Sequence, residues 1–176
     1  MSSLRTWTLG FGLPLLLLLA VACSLCAAAP GEKQAVGDKH RGKVVAIADG
    51  DTLTLLVGTT QLKVRLWGID APEKAQAFGT RSKQGLADAS FGREAEVEVM
   101  GHDRYGRTLG RVRVAGRDVN LGQVKAGLAW WYAQYSPKAF DIQAAELAAR
   151  KARVGLWVDV GPVAPWEFRK AGRPAR

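Results

Sequence analysis

The sequence predicts an α+β fold in which a small closed β-barrel carries about three helices. Five segments alternate apolar and polar residues, which is typical of half-buried strands. One helical pattern follows the third of these strands, and two more follow the fifth. This order suits a barrel with attached helices, although the pattern by itself leaves several types of barrel open.

The strands are predicted from their apolar alternation. The first spans residues 42–48, and the second and third span 51–57 and 61–67 around a turn at Gly58. The third strand is expected to stop at D-A-P-E, residues 70–73, because Pro72 cannot extend a ladder of backbone hydrogen bonds. A charged loop over 101–107 separates the last two strands, which are predicted over 95–100 and 108–114.

Three helices are predicted from apolar residues at helical spacing. The first spans 79–91 and ends at Gly92, and the second spans 119–128. The third is expected to begin at Ser136-Pro137, with proline at the first helical position, and to end near residue 153. The apolar residues that recur along it are Phe140, Ala144, Leu147 and Ala148.

The two ends of the chain are expected to lie outside the folded domain, which is predicted over 42–158. Residues 1–28 have the features of a signal peptide, since Arg5 precedes an apolar run and small residues follow it. Residues 29–41 are expected to be a flexible lead-in, and 159–176 a tail that is loose beyond Trp166. A secreted or periplasmic location follows. The alternative is an uncleaved membrane anchor, although the apolar run is short for a span of about 20 residues.

The composition describes a basic domain without a disulfide. The formal net charge is +9, and both cysteines, Cys23 and Cys26, lie in the predicted signal peptide. Such a domain could bind nucleic acid, anionic lipid or polyanionic wall material, and its charge alone does not choose among them.

Carboxylates are concentrated around the second and third strands. Asp49 and Asp51 share one face of an extended chain, Arg65 lies within the third strand, and Asp70 and Glu73 lie at its end. Two carboxylates about 4 Å apart repel by roughly 4 kcal/mol at an effective dielectric constant near 20, so the cluster needs a proton or a cation. Oxygen ligands of this kind favour calcium or magnesium over zinc. The alternative is a turn with solvated acids.

Three blocks of the sequence resemble the signature blocks of the staphylococcal nuclease (thermonuclease) family. They are D-G-D-T at 49–52, R-L-W-G-I-D-A-P-E at 65–73 and D-R-Y-G-R at 103–107, in the family's order and spacing. The similarity covers roughly residues 42–157. It implies a five-stranded OB-fold barrel, which is also a common platform for nucleic acids. It further implies a monomeric, calcium-dependent endonuclease that cuts DNA and RNA with little sequence specificity and leaves 3′-phosphate ends. No stable protein partner is implied, and no membrane contact after signal cleavage.

The resemblance also implies which residues hold the calcium ion. Asp51 and Asp70 match the family's calcium-ligating aspartates, and Asp49 matches a carboxylate of the outer shell. Ala71 stands where the staphylococcal enzyme has threonine. Because that position contributes its backbone carbonyl, alanine could still serve.

Catalytic and substrate-binding residues are implied in the same way. Glu73 matches the glutamate beside the attacking water, usually described as the general base. Arg65 and Arg107 match the two arginines that grip phosphate, a task that suits the planar, permanently charged guanidinium group. The residues expected to contact the substrate are Tyr105, in the loop that presents the second arginine, and Tyr132 and Tyr135, which could stack on bases.

The alternative from another functional class is a catalytically inactive OB-fold module that binds single-stranded nucleic acid or another polyanion. The complete set of carboxylates and arginines argues against it, because a binding module does not need them all. The connection after Glu73 is much shorter than the lysine-rich loop of the staphylococcal enzyme, which leaves substrate preference and rate open.

Overall fold

The computed structural model describes residues 34–172. The predicted signal peptide therefore lies outside the described residues, as do positions 29–33 of the lead-in and the last four residues. Within the described range, no helix combines the length and the apolar character that crossing a bilayer requires.

Within residues 34–172, eight strands form two sheets. The long strands are β1 (Lys39–Ile47), β2 (Thr52–Val57), β3 (Thr60–Leu66), β5 (Glu94–His102) and β6 (Thr108–Val114). The remaining strands have two residues each and are β4 (Ile69–Asp70), β7 (Arg117–Asp118) and β8 (Trp130–Trp131). The predicted strands are thus all present, and the three short ones were not predicted, because two residues are too few to show an alternation.

The five long strands form a closed barrel. Their order is β3-β2-β1-β5-β6, and a parallel pairing of β3 with β6 closes the sheet, while the other barrel pairs are antiparallel. Gly110 lies at the closure. A Cβ there would come within 2.6 Å of a Val97 methyl group and 2.7 Å of a Val64 methyl group, so a side chain would force β6 away from its neighbours. The architecture is the OB-fold that the resemblance implied.

Alternate residues of these strands fill the barrel, and the helices cover it. Fully buried valines and leucines from all five strands form one cluster. The helices are α1 (Gly79–Ser90), α2 (Val119–Lys125), α3 (Phe140–Lys151) and α4 (Pro165–Ala171), with one 3₁₀ turn at Gly155–Val158. The predicted α1 is confirmed to within one residue. The second helix ends three residues earlier than predicted, because the chain leaves it at Gly127, which lies against the backbone of Val154.

The predicted start and apolar face of the third helix are wrong. Ser136 is buried in a turn, where its hydroxyl donates to the Tyr132 carbonyl at 2.9 Å, and the helix begins four residues later. Phe140 and Leu147, expected to repeat along the packed face, are 67% and 60% exposed. The buried face instead carries Ile142, Ala145, Glu146 and Ala149, which include small residues that allow α3 to lie close to α2.

The described parts of both flanking segments are better ordered than the sequence suggested. Positions 39–41 of the expected lead-in belong to β1 and pair with β5, with Lys39 opposite Glu98. The expected loose tail forms α4, which begins with Pro165 at its first turn. Trp166 of α4 stacks on Tyr132, with ring centroids 5.4 Å apart and planes inclined by 6°. This contact explains why a helix of only seven residues is held in place.

Candidate active site

A groove of about 480 Å³ contains most of the residues that the sequence singled out. Its walls come from the end of β3, the loop between β5 and β6, the segment after β8, and α4. Asp51, Asp70 and Ala71 are buried and are linked to the groove by hydrogen bonds. The predicted residues that line the groove are Asp49, Arg65, Glu73, Tyr105, Arg107, Tyr132 and Tyr135.

The turn before β2 presents Asp49 and Asp51. The Asp49 carboxylate accepts a hydrogen bond from the backbone N–H of Asp51 at 3.0 Å, which closes the turn. Gly50 is required between them because α1 packs against it, and a Cβ there would lie 1.9 Å from the Ser82 hydroxyl. Its carbonyl accepts a bond from Gln123 of α2 at 2.8 Å. The D-G-D motif is therefore held by two helices as well as by its own turn.

Arg65 joins the two buried aspartates. Its Nη1 donates to Asp51 at 2.8 Å and its Nη2 to Asp70 at 2.6 Å. The position of Arg65 near the end of β3, opposite Thr52 of β2, brings it next to the turn that holds Asp51. Burial alone would lower the pKa of Arg65, but the two carboxylates raise it overall, so the guanidinium group stays charged. We use the name inner cluster for five residues that are linked by these and neighbouring ion pairs. They are Asp51, Arg65 and Asp70 at the centre, together with Glu73 and Arg169.

Arg169 of α4 belongs to the inner cluster and was not expected from the sequence. Its Nη2 donates to Asp70 at 2.6 Å, and its Nη1 donates to Glu73 at 2.6 Å. These contacts link residues 96 and 99 positions apart in the chain. No local motif marks Arg169, and the only available signal was an arginine within a short helical segment after Pro165.

The inner cluster contains more negative than positive charge. Its carboxylates Asp51, Asp70 and Glu73 face two guanidinium groups, which leaves one negative charge in excess. The neighbouring Asp49 raises the excess of formal charge around the site to two. Burial raises the pKa of Asp51 to about 7; Arg65 opposes this rise, and the neighbouring Asp49 and Asp70 add to it. Burial is therefore the main cause of the raised pKa, and the neighbouring carboxylates contribute the smaller part.

The two buried aspartates fit a hard divalent cation. A carboxylate offers about four acceptor positions. Among the described residues, Asp51 accepts from Thr52, Arg65 and the Ala71 N–H, and Asp70 accepts once from Arg65 and twice from Arg169. One position therefore remains on Oδ2 of each aspartate, and one divalent cation would balance the excess charge. Since residues 34–172 contain no group of three or more acidic, histidine or cysteine side chains able to hold a metal, backbone carbonyl and water oxygens would complete such a site.

Residues 103–107, which we call the outer loop, present Arg107 at the other side of the groove. Asp103 closes this loop by accepting bonds from the backbone N–H groups of Tyr105 and Arg107, both at 2.9 Å. The same carboxylate accepts from Nε of Arg107 at 2.6 Å. Within the described part of the chain, Arg107 makes no other side-chain hydrogen bond, so Nη1 and Nη2 remain available to another acceptor.

Three tyrosines line the groove with different exposures. Tyr105 and Tyr135 are 69% and 67% exposed, so their rings can be reached by a ligand. Tyr132 is half-buried between Trp166 and Tyr135. Burial raises the pKa of the Tyr132 phenol, and the nearby Asp70 adds to the rise, while Arg169 lowers this pKa. Tyr105 and Tyr135 are therefore the better placed pair for stacking.

The chain is similar to proteins of one family. The family model described as Staphylococcal nuclease homologue matches residues 63–159, which include Glu73 and Arg107 but end before Arg169. A Haemophilus influenzae protein named "Uncharacterized endonuclease" is 46% identical over 134 residues, which cover 76% of this chain and 75% of that protein. The "Micrococcal nuclease" of Shigella flexneri is 42% identical over 145 residues, covering 77% and 83%. The Escherichia coli "Protein ParB" is 44% identical over 147 residues, covering 77% and 82%.

Proposed function

The chain belongs to the staphylococcal nuclease homologue family, and on that premise we propose that this nuclease is a calcium-dependent endonuclease of DNA and RNA. The observation that carries the proposal is the convergence of Glu73, Arg65 and Arg107 on one groove, next to the buried pair Asp51 and Asp70. A carboxylate that can accept a proton and guanidinium groups that can stabilise a phosphorane-like charge are the groups that phosphodiester hydrolysis needs.

The two arginines would contribute differently. The terminal nitrogens of Arg107 are available, so they can grip two oxygens of one phosphate. Both terminal nitrogens of Arg65 already bind Asp51 and Asp70, so its charge would act on the phosphate from within the inner cluster. Charge that is held in place before the reaction stabilises a transition state without a cost of reorganisation.

Glu73 is the proposed general base. Its carboxylate is 39% exposed and lines the groove, so water can reach it. In the proposed reaction the water oxygen forms a bond to phosphorus, and its proton goes to Glu73. The P–O5′ bond breaks, and the product strand retains a 3′-phosphate. O5′ leaves with the other strand and takes up a proton from solvent to become a hydroxyl group.

Calcium is the proposed cofactor. When bound, it would supply positive charge to the phosphate oxygens, held by Asp51, Asp70 and the Ala71 carbonyl with Asp49 in the outer shell. The excess of negative charge in the inner cluster supports this assignment, because a buried group of carboxylates without a cation takes up protons instead.

Low sequence specificity is part of the proposal. Exposed tyrosine rings can stack on any base, and phosphate contacts do not depend on sequence. Neither contact requires or excludes a 2′-hydroxyl group, so both DNA and RNA are proposed substrates. The apolar run within residues 1–28 supports a further proposal, that the enzyme acts in the periplasm or outside the cell.

Digestion of supercoiled plasmid and of single-stranded RNA tests the proposal. We expect both substrates to be shortened with calcium, to survive with a chelator, and to yield ends that a 3′-phosphatase can process. Cleavage that continues in the chelator would contradict the calcium assignment. Binding of strands without cleavage at any calcium concentration, by folded protein, would identify an OB-fold binding module instead.

A further inference from the structure

We propose that Arg169 is a positioning residue of this active site, which holds the Glu73 carboxylate against Asp70 in its productive orientation. The inference rests on the proposed function of the same groove. It assigns to the C-terminal helix α4 a part in catalysis that lies beyond the residues matched by the family model.

The contacts of Arg169 single out Glu73 and Asp70. Nη1 of Arg169 lies 2.6 Å from Glu73 Oε1 and 3.3 Å from Asp70 Oδ1, so one nitrogen bridges both carboxylates. Nη2 lies 2.6 Å from Asp70 Oδ2. Because Asp70 is buried and is also bound by Arg65, it provides a fixed reference from which Arg169 can orient Glu73.

Glu73 depends on Arg169 for its side-chain orientation. Its backbone is held by Gln76, whose Oε1 accepts from the Glu73 N–H at 3.1 Å. Among the described residues, however, Arg169 is the only hydrogen-bond partner of the Glu73 carboxylate. A half-exposed glutamate without that partner would sample several rotamers. A displacement of about 1 Å from the reactive geometry can cost on the order of 10²-fold in rate.

The helix α4 holds Arg169 firmly enough for this task. Trp166 and Arg169 lie three residues apart, on the same side of the helix. Trp166 stacks on Tyr132, and Ala164 and Pro165 are buried against the protein. Burial alone would lower the pKa of Arg169, but its bonds to Asp70 and Glu73 raise it overall, so the group remains charged.

The first experiment compares Arg169→Gln with Lys170→Gln under saturating calcium. Both variants remove one positive charge from α4, but Lys170 is exposed and makes no ion pair among the described residues. We expect kcat to fall about 10- to 100-fold in Arg169→Gln, the usual effect of losing an outer partner of a functional ligand, with KM within about threefold of native. Lys170→Gln should retain native kcat.

A double-mutant cycle separates positioning from a general effect on structure. If Arg169 acts through Glu73, adding Arg169→Gln to Glu73→Gln should lower kcat by less than about threefold further, because the base is already lost. A merely structural role would multiply the two losses. Arg169→Lys keeps the charge but cannot reproduce the fork, so we expect a kcat between those of the native protein and Arg169→Gln; this milder variant carries the test if Arg169→Gln does not fold.

Several results would overturn the inference. Native kcat in Arg169→Gln, a rise in KM alone, or fully multiplicative losses in the cycle would each exclude a positioning role. All of these results presuppose that the native protein cuts nucleic acid with calcium. If the native protein does not, the proposed function fails instead, so the two failures can be told apart.

Discussion

The inner cluster and the outer loop bring arginines to the same groove by opposite means. Each of Arg65 and Arg169 is held by two carboxylates, and both of its terminal nitrogens are engaged. The partners of Arg65 are 14 and 5 positions away in the chain, and those of Arg169 are 96 and 99 positions away. Arg107 is held by a carboxylate four residues away, through Nε alone. The terminal guanidinium nitrogens of the inner cluster are thus engaged within the protein, whereas the outer loop leaves those of Arg107 to a ligand. The proposed function uses both arrangements, because it requires a site that holds a cation and also grips a phosphate.

The largest expected effect is on turnover and concerns the inner cluster. Glu73→Gln keeps the size of the side chain and an acceptor for Arg169, but removes the proposed general base. We therefore expect turnover to fall by about 10²–10⁴, with substrate affinity nearly unchanged. Single-turnover cleavage together with a binding assay measures both quantities. Cleavage at the native rate would show that the chemistry lies elsewhere in the groove.

The second effect is on stability and contrasts Arg65 with Arg107. Arg65→Gln leaves Asp51 without its guanidinium partner, and breaking a buried pair costs about 3–5 kcal/mol of unfolding free energy. The matched variant Arg107→Gln should cost no more than about 1 kcal/mol, because that pair is local and partly exposed. Urea denaturation in the presence of a chelator measures both. Equal losses would remove the contrast between the two regions.

Arg107→Lys is expected to affect catalysis without affecting stability. Lysine keeps the charge but cannot offer the two nitrogens that are available in Arg107. We expect kcat to fall about 10²–10³-fold, as for loss of one donor to a developing oxyanion. If kcat stays native while KM rises, Arg107 binds the ground state of the substrate only.

Calcium should stabilise the fold through the inner cluster alone. At a hundredfold excess over its dissociation constant, a cation bound to the native state adds about 2.7 kcal/mol to the unfolding free energy. Asp51→Asn should abolish this gain, and Arg107→Lys should retain it. Thermal melting with and without calcium measures the effect, and an unchanged melting temperature of the native protein would count against the cation site.

The smallest effect concerns the pH dependence of the outer loop. Burial alone would raise the pKa of Asp103, but its hydrogen bonds from Arg107 and Tyr105 lower it overall. Its stabilising contribution is therefore present above about pH 4, the ordinary value for aspartate, and is lost as the pH falls through the lowered value. The protection of the amides of residues 103–107 against hydrogen exchange, taken relative to the intrinsic exchange rate at each pH, should fall in acid and in Asp103→Asn. The expected loss in the free energy of opening is about 1 kcal/mol or less. Unchanged protection under both conditions would show that Asp103 does not hold the loop.

The sequence-based prediction was accurate for features that depend on residues close together in the chain, and it failed for features that depend on contacts between distant segments. The boundaries of β2, β3, β6 and α1 were correct to within one residue, because alternation and helical spacing are local properties. The face of α3 was wrong, because Phe140 and Leu147 show the same seven-residue spacing as the buried Ile142 and Ala149. Only the neighbouring α2 decides which of two apolar faces is covered.

The individual strands, the acidic turn and the two arginines of the signature blocks could be predicted from the sequence, since each depends on residues close together in the chain, and the family resemblance added the type of barrel. The return of α4 to the groove and the bonds from Arg169 to Asp70 and Glu73, across 99 and 96 positions, became apparent only in the folded protein. The physical reason is that a seven-residue helix is unstable alone and owes its place to Trp166 stacking on Tyr132. A contact between two distant segments does not produce a repeating pattern of apolar residues in either of them.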